Sequence, residues 1–146
     1  MWNEVQWIKI PDMELRNKQI LHGDLGGRFA YFRLEQELLT DAHLTVRITA
    51  VSRYRLWVND QAVLSGSCKG DLNRQYYETV SLTPYLHAGK NVFAVQVLYN
   101  DPDIARDQTD ERAAIYGVVG AGNCHALAID GDITDAFGRV IGTIST

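Results

Sequence analysis

The sequence contains no cluster of basic residues, no long apolar run and only two cysteines. Its 14 Lys and Arg residues stand singly among 18 Asp and Glu residues, so the net charge is −4. Binding to a nucleic-acid backbone needs clustered positive charge, and we therefore expect no nucleic-acid partner. No apolar stretch is long enough to span a bilayer, and we therefore expect no membrane partner.

The few cysteines and histidines also restrict the chemistry that the chain can support. Cys68 and Cys124 are too few for a disulfide framework, and the first fifteen residues lack the basic start and apolar core of a signal peptide. We therefore expect free thiols and a cytoplasmic location. The four histidines are dispersed, with no pair at the spacing of zinc ligands, and no glycine segment has the context of a phosphate loop. We expect no cofactor.

Length and composition indicate one globular domain. The chain has 146 residues, of which 46% are hydrophobic and 22% are charged, values that are ordinary for a domain with one core. We predict a single domain over residues 1–146. Within it, residues 1–27 are predicted to form an irregular N-terminal arm with one candidate edge strand, and residues 28–146 are predicted to form a sandwich.

Apolar and polar residues alternate with the period of a β-strand in several segments, whereas no window of a dozen residues carries a helical stripe. The alternation runs over residues 28–38, 44–50 and 54–58, and it returns near 126–134 and 139–144. Short strands at such spacing predict an all-β protein with the architecture of an antiparallel β-sandwich or jelly roll.

The stretch "YRLWVNDQAV" predicts a β-hairpin. Its period of two places Tyr54, Leu56 and Val58 on one face, which we expect to lie in the core. Asn59 and Asp60 are predicted to form the turn, because both residue types tolerate a positive φ better than most others.

The segment "TPYLHAGKNVFAVQVLY" predicts a short helical turn followed by a strand. Thr83 is predicted as the N-cap, Pro84 as the first helical residue and Gly89 as the residue that ends the turn. The strand from Val92 to Tyr99 is apolar at nearly every position, so we expect burial on both faces at the centre of the core.

Three stretches, "YFRLEQEL", "LTVRITAVSRYRLWVNDQAV" and "YYETVSLTPYLHAGKNVFAVQV", cover about 31–97 in order. Together they resemble the amino-terminal, galactose-binding-domain-like β-sandwich of bacterial α-L-rhamnosidases. Asn59, Thr83, Gly89 and Asn91 match that family's turn and cap positions. The resemblance implies a β-sandwich that forms the front part of a longer enzyme.

The same resemblance implies a function. It implies a non-catalytic accessory domain that packs on the catalytic domain of the same polypeptide and assists the binding of a rhamnose-containing carbohydrate. The family's catalytic acids lie in a helical barrel for which this chain has no room, so we expect no enzymatic activity and no catalytic residue in the chain alone. Two alternatives stay open, namely a free-standing carbohydrate-binding module and a structural protein-interaction domain without sugar affinity.

Sugar binding uses flat aromatic faces together with polar groups that bond to hydroxyls. Aromatic and polar residues that could serve in this way are grouped around two polar segments of the sequence. The candidates are Trp57, Arg74, Tyr76, Tyr77, Tyr99, Asn100 and Asp101. For Trp57 the preferred interpretation is packing, within the domain or against a neighbouring one, rather than contact with a sugar.

The segment "DGDITD" brings Asp130, Asp132 and Asp135 close together in sequence. Calcium prefers several carboxylate and carbonyl oxygens, but the spacing and glycine of an EF-hand are missing. We therefore predict a turn between strands and no metal site, and keep these three aspartates as weak calcium candidates.

Overall fold

The computed structural model describes residues 5–8, 27–38, 42–51, 53–67, 76–100 and 126–146. These residues form eight strands and one short 3-10 helix, and no α-helix occurs among them. The elements are β1 (Gly27–Leu38), β2 (His43–Ala50), β3 (Tyr54–Val58), β4 (Gln61–Gly66), β5 (Glu78–Ser81), the 3-10 helix (Thr83–Tyr85), β6 (Gly89–Asn100), β7 (Leu127–Thr134) and β8 (Val140–Ser145).

The strands form two four-stranded sheets that face each other. The first sheet has the order β1-β6-β3-β4, and the second has the order β5-β2-β7-β8. Every pair of neighbouring strands is antiparallel. The predicted all-β antiparallel sandwich is confirmed. No helix in the described part of the chain is long and apolar enough to cross a membrane.

The core lies between the two sheets and is built from every second residue of each strand. Tyr54, Leu56 and Val58 of β3 are at most 2% exposed, which confirms the face predicted for the hairpin. The second sheet contributes the equivalent alternate positions of β2 and β7. Its fully buried members include Leu44, Val46, Ile48, Leu127 and Ile133.

The predicted burial of β6 on both faces is wrong. Phe93, Val95 and Val97 point into the core and are buried, but Val92 and Ala94 on the other face are only half-buried. The reason is that β6 lies at the centre of one sheet, between β1 and β3, and no described element covers the outer face of that sheet. An apolar run does not reveal whether a second layer of the same domain covers it.

The hairpin turn between β3 and β4 is the one that the sequence predicted. Asn59 has a φ of 48° and Asp60 a φ of 64°, so both residues are in the left-handed region that the tightest hairpin turns require. The Asn59 backbone N–H donates to the Val92 carbonyl at 2.9 Å, and the Val92 N–H donates to Asn59 Oδ1 at 2.8 Å. These two bonds attach the turn to β6.

A pair of amide side chains, half-buried Asn59 and buried Asn91, continues from this turn into the connection before β6. Asn91 is fully buried, and its Oδ1 accepts hydrogen bonds from Asn59 Nδ2 at 2.8 Å and from the His87 N–H at 3.1 Å. Its Nδ2 donates to the carbonyls of His87 and Gly89 at 2.7 and 3.0 Å. Asn59 Nδ2 also donates to the Tyr85 carbonyl at 2.8 Å. The Asn91 amide thus makes all four hydrogen bonds that an asparagine amide can make, and these bonds join three segments.

The helical turn forms where it was predicted, but its ends differ. Leu82 is the N-cap instead of Thr83, whose hydroxyl accepts a hydrogen bond from the Leu44 N–H at 3.1 Å and so links the turn to β2. Pro84 lies in the first turn, as predicted. Gly89 does not end the helix but begins β6, with a φ of 97°. The Thr83 hydroxyl does not cap the helical turn because it bonds to β2, the strand beside β5 in the same sheet.

The described part of the N-terminal arm contacts the second sheet. Ile8 and Leu127 form an isolated antiparallel bridge with N–H to carbonyl distances of 2.9 and 3.0 Å. The irregular connection predicted for residues 11–27 lies outside the described residues except for Gly27, which begins β1. The division of the chain into arm and sandwich stays a prediction.

We predict that Asn91→Ala lowers the free energy of unfolding by about 2 to 4 kcal/mol, because the buried Asn91 amide makes four hydrogen bonds that the variant loses. Urea denaturation of both proteins measures the difference. Gln96→Ala, on the outer face of the same strand, is the control; it loses one hydrogen bond between exposed side chains and should lower stability by at most about 1 kcal/mol. Equal losses for the two variants would contradict the role given to the amide pair.

The turn itself provides a second prediction. Asp60→Gly should raise the free energy of unfolding by about 0.5 kcal/mol, because glycine adopts a positive φ without the steric cost that a side chain has. Asp60→Ala should lower it by about 1 kcal/mol for the opposite reason. Thermal and urea unfolding of the three proteins give the order, and a stabilising alanine would show that the turn is not in this conformation.

Candidate functional site

The outer face of the second sheet carries an open cleft of about 630 Å³, which we call the polar cleft. Most of its lining belongs to β2, β7 and β8, three adjacent strands of the second sheet, and Val5 of the N-terminal arm completes it. The polar cleft is lined by Val5, His43, Leu44, Thr45, Arg47, Asp130, Gly131, Asp132, Thr134, Thr143 and Ser145. Hydroxyl, carboxylate and guanidinium groups dominate this lining.

An ion pair between neighbouring strands lies in the polar cleft. Arg47 of β2 and Asp130 of β7 are opposite each other in the register, although 83 positions separate them in sequence. Arg47 Nε donates to Asp130 Oδ1 at 2.9 Å, and Arg47 Nη2 pairs with Asp130 Oδ2. The hydrogen bond that Arg47 donates to Asp130 is the main cause of a raised pKa for Arg47. The guanidinium is thus always charged and is held in one plane by a two-point contact.

A glycine allows the strands beneath the polar cleft to approach closely. A Cβ on Gly131 would lie 2.5 Å from the Thr45 carbonyl oxygen and 3.0 Å from Val46 Cα. These atoms belong to the backbone of β2 and cannot move aside as the end of a side chain can. Any larger residue would therefore push β7 away from β2 and alter the shape of the polar cleft.

Two threonine hydroxyls hydrogen-bond to neighbouring groups along the walls of the polar cleft. Thr143 Oγ1 donates to Asp132 Oδ1 at 3.1 Å across the β7–β8 pair, and both side chains are exposed. Thr134 Oγ1 donates to the His43 carbonyl at 3.4 Å. Each of these hydroxyls keeps its oxygen lone pairs as acceptors after donating its proton. The wall near Asp132 consequently presents mainly acceptor atoms.

The three weak calcium candidates have three different partners. Asp130 pairs with Arg47, and Asp132 accepts from Thr143. Asp135 caps the β7–β8 turn, where it accepts from the N–H groups of Phe137 and Arg139 at 2.8 and 3.0 Å and from Arg139 Nε at 2.7 Å. Within the described ranges, no group of three or more His, Cys, Asp or Glu residues could hold a metal ion.

The aromatic candidates do not converge on one site. Trp57 is half-buried on the outer face of the first sheet, opposite Ala62 of β4 and Ala94 of β6. Tyr76 and Tyr77 precede β5 in the second sheet and are 48% and 42% exposed. Tyr77 directly precedes β5, the strand beside β2, and does not line the polar cleft. Trp57 and Tyr77 therefore belong to different sheets.

Of the four other predicted sugar-binding residues, two belong to β6 and two lie outside the described residues. Tyr99 and Asn100 end β6, opposite Arg28 and Gly27. Arg74 and Asp101 lie outside the described residues. Sugar binding by these four residues, and by Trp57, Tyr76 and Tyr77, stays a prediction.

The outer face of the first sheet has a different character. Phe29 and Tyr31 of β1 are 52% and 69% exposed and share this face with Trp57, so we call these three residues the aromatic face. Tyr31 Oη accepts a hydrogen bond from Gln96 Nε2 at 2.7 Å. Half-buried apolar residues of β6, including Val92, Ala94 and Leu98, lie between these aromatic residues.

Charged residues adjoin the aromatic face at one end of the sheet. Glu35 pairs with Lys90 at 2.6 Å and with Arg33. Hydrogen bonds from Lys90 first and Arg33 second lower the pKa of Glu35. Arg33 is in line with Ala94 and Trp57, so charged groups reach into the row of residues that holds Trp57.

Sequence reasoning missed Arg47 and Thr143 as residues of a site. Both were visible as the polar members of alternating strands, which is the ordinary appearance of a solvent face. Asp132 was considered only as a calcium ligand. The site is recognisable only from the strand register, which places Arg47 opposite Asp130 and Asp132 opposite Thr143. Alternation within one strand does not tell which residues of another strand lie opposite.

No family model and no curated protein matches this chain. Solved structures do match. An α-L-rhamnosidase from Aspergillus terreus is 18% identical with a TM-score of 0.62, and one from Dictyoglumus thermophilum is 11% identical with a TM-score of 0.60. Each match covers 99% of this chain and 16% of that chain. A GH78 family rhamnosidase of Bacillus sp. GL1 is 20% identical, with a TM-score of 0.55 and coverage of 81% and 11%.

The chain thus spans about a sixth of the length of the first of these rhamnosidases. At such low identity the likeness shows the fold, and it agrees with the rhamnosidase resemblance that the sequence predicted. This chain corresponds to a small part of those proteins. The amino-terminal and galactose-binding-like identity of that part stays a prediction.

The Asp135 turn provides a pH-dependent prediction. Hydrogen bonds from Arg139 are the main cause that lowers the pKa of Asp135 below its ordinary value of 3.8. A carboxyl group whose pKa is lower in the folded state than in the unfolded state stabilises the fold at pH values above its ordinary pKa. This stabilisation is lost as the pH falls below that pKa. Asp135→Asn should therefore lower the urea midpoint at pH 7.

The difference between Asp135→Asn and the unchanged chain should shrink as the pH falls below about 4. Urea midpoints between pH 7 and pH 2.5 measure this, with the exposed Asp132→Asn as the control. A difference that is the same at both ends of the range would show that the charge of Asp135 is not what stabilises the turn.

Proposed function

We propose that this chain is a non-catalytic accessory domain of a larger glycoside hydrolase similar to α-L-rhamnosidases. The observation that supports this most directly is coverage, since 99% of the chain matches a region that makes up only 16% of two solved rhamnosidases. More than four fifths of those proteins has no counterpart in these 146 residues. The hydrolytic activity named for them is assigned in this proposal to the missing part.

The aromatic face is the surface that packs on the rest of the enzyme. Phe29 and Tyr31 expose more than half of their surface on an outer sheet face that also holds Trp57 and half-buried residues of β6. Contiguous exposed apolar surface on a folded domain usually marks an interaction site. The occupant is the catalytic part of the same polypeptide, because the matched chains are about six times as long as this one.

The carboxyl groups support a non-catalytic role. Glycoside hydrolysis needs a carboxylic acid whose pKa is raised so that it can protonate the leaving group. The pKa values of Glu35 and Asp135 are instead lowered by neighbouring cations and N–H groups. The carboxylates of Glu35 and Asp135 are therefore in environments that favour the charged form, which is unsuited to a general acid.

A free-standing carbohydrate-binding module is the second candidate, and the polar cleft favours it because its lining can bond to hydroxyl groups. An interaction domain without sugar affinity would use the aromatic face alone. A cytoplasmic location, inferred from the two cysteines, is part of the proposal.

The purified chain should release no nitrophenol from nitrophenyl α-L-rhamnoside, whereas the polypeptide encoded by the complete natural reading frame should release it. Measurable release by the 146-residue chain would overturn the non-catalytic role. A natural reading frame that ends at Thr146 would exclude the accessory domain and leave the free-standing module.

Hydroxyl-radical footprinting tests the docking surface. In the complete polypeptide, Tyr31 and Trp57 should be modified at least several-fold more slowly than in the 146-residue chain, because the catalytic part covers them. Phe137, which is 84% exposed in the β7–β8 turn, is the control and should be modified equally in both. Equal modification of Tyr31 in both proteins would show that the aromatic face is not the docking surface.

A further inference from the structure

Two arginines on the outer face of the first sheet have no partner among the described residues. Arg55 lies in β3, and Arg53 directly precedes that strand, where its carbonyl accepts from the Leu98 N–H at 2.7 Å and so continues the pairing with β6. Both side chains are exposed, and within the described ranges no hydrogen bond or ion pair reaches either guanidinium. We call Arg53 and Arg55 the arginine pair.

Every other Lys or Arg side chain that the structure describes forms an ion pair within the domain. These ion pairs are Arg33 and Lys90 with Glu35, Arg47 with Asp130, and Arg139 with Asp135. The side chain of Arg139 is 74% exposed and is paired nevertheless, so exposure alone does not explain a cation without a partner. The arginine pair is therefore the exception among the described cations.

The arginine pair lies beside the aromatic face. Arg55 is opposite Gln96, which in turn is opposite Tyr31, and Trp57 follows Arg55 by two residues on the same face of β3. The Gln96 amide donates to Tyr31 Oη. Same-face neighbours in a strand are about 7 Å apart. A protein surface that covers Trp57 therefore covers Arg55 as well.

Covering a guanidinium without a counter-charge is unfavourable, because the cation loses its hydration and gains no ion pair. Docking of the aromatic face therefore requires acceptor groups on the covering surface opposite Arg55. Carboxylates are the best match, because a guanidinium binds both carboxylate oxygens through two parallel N–H bonds. Arg33, which is in line with Trp57, needs no such group because it already pairs with Glu35.

The outer face of the first sheet also has an excess of positive charge, whereas the whole chain has a net charge of −4. The charged side chains described on this face are the cations Arg33, Arg53, Arg55 and Lys90 and the carboxylates Glu35 and Glu37. Complementary interfaces join positive to negative patches. We propose that the surface of the catalytic part that covers the aromatic face carries carboxylates that pair with Arg53 and Arg55. This inference rests on the proposed function, in which the catalytic part is the occupant.

Carbodiimide cross-linking of the complete polypeptide carrying Arg55→Lys tests the proposal. The reagent joins an amine directly to a carboxylate without a spacer, so it reports an ion pair. Peptide mass spectrometry should find position 55 joined to an aspartate or glutamate outside these 146 residues, and Arg53→Lys should give the same result at position 53. The native pair of Lys90 and Glu35, whose charged atoms are 2.6 Å apart, is the internal control and should be joined in every sample.

Charge reversal gives a second readout. In the complete polypeptide, Arg55→Glu places one carboxylate against another, so hydroxyl-radical modification of Trp57 should become several-fold faster and approach its rate in the 146-residue chain. Arg55→Lys keeps the charge and should leave Trp57 protected. Thr79→Glu, on the exposed outer face of the second sheet, is the control and should also leave it protected. Because Arg55 is exposed, Arg55→Glu should not change the urea midpoint of the 146-residue chain.

The proposal is overturned if position 55 gives no cross-link while Lys90 and Glu35 are joined. It is equally overturned if position 55 is joined only within these 146 residues or to a second copy of the chain, or if Arg55→Glu leaves Trp57 fully protected. Protection of Tyr31 and Trp57 in the unchanged complete polypeptide, together with any of these results, would keep the docking surface and remove only its carboxylate partners. Absence of that protection would instead reject the docking surface itself.

Discussion

The amide pair of Asn59 and the buried Asn91 is the interaction on which the first sheet depends. It joins the β3–β4 turn, the connection after the 3-10 helix and the start of β6, and every hydrogen-bonding atom of the Asn91 amide is used. Because β6 pairs with both β1 and β3, its position sets the register of the whole sheet. Trp57 lies in line with Ala94 and Arg33 for this reason. The aromatic face is thus assembled by a polar contact some distance away from it.

The two sheets share one apolar core, and their chemical differences are confined to their outer faces. The first sheet presents Phe29, Tyr31 and Trp57 together with the ion pairs of Glu35. The second presents the polar cleft, which is lined mainly by charged and hydroxyl side chains. Successive residues of a strand point to opposite faces of the sheet, so the outer faces can differ in chemistry while the core stays apolar.

Much of the fold could be predicted because period-two alternation is a local property. It located the strand that begins near Arg28, the hairpin at Asn59 and the last strand pair. Predictions that depended on distant contacts were wrong. Thr83 does not cap the helical turn because its hydroxyl accepts from Leu44, which is 39 positions away. The outer face of β6 is only half-buried, because an apolar composition does not tell what covers a strand.

The sequence by itself determined which residues share a face of each strand, because successive side chains alternate by backbone geometry alone. It also determined the turn at Asn59 and Asp60, through the tolerance of these residues for a positive φ. Only the tertiary structure decided which faces meet. Arg47 pairs with Asp130 because packing across the sandwich places β2 beside β7 in one register. The polar cleft therefore depends on strand order and register. Burial of the whole core selects both, and no single segment of the sequence specifies them.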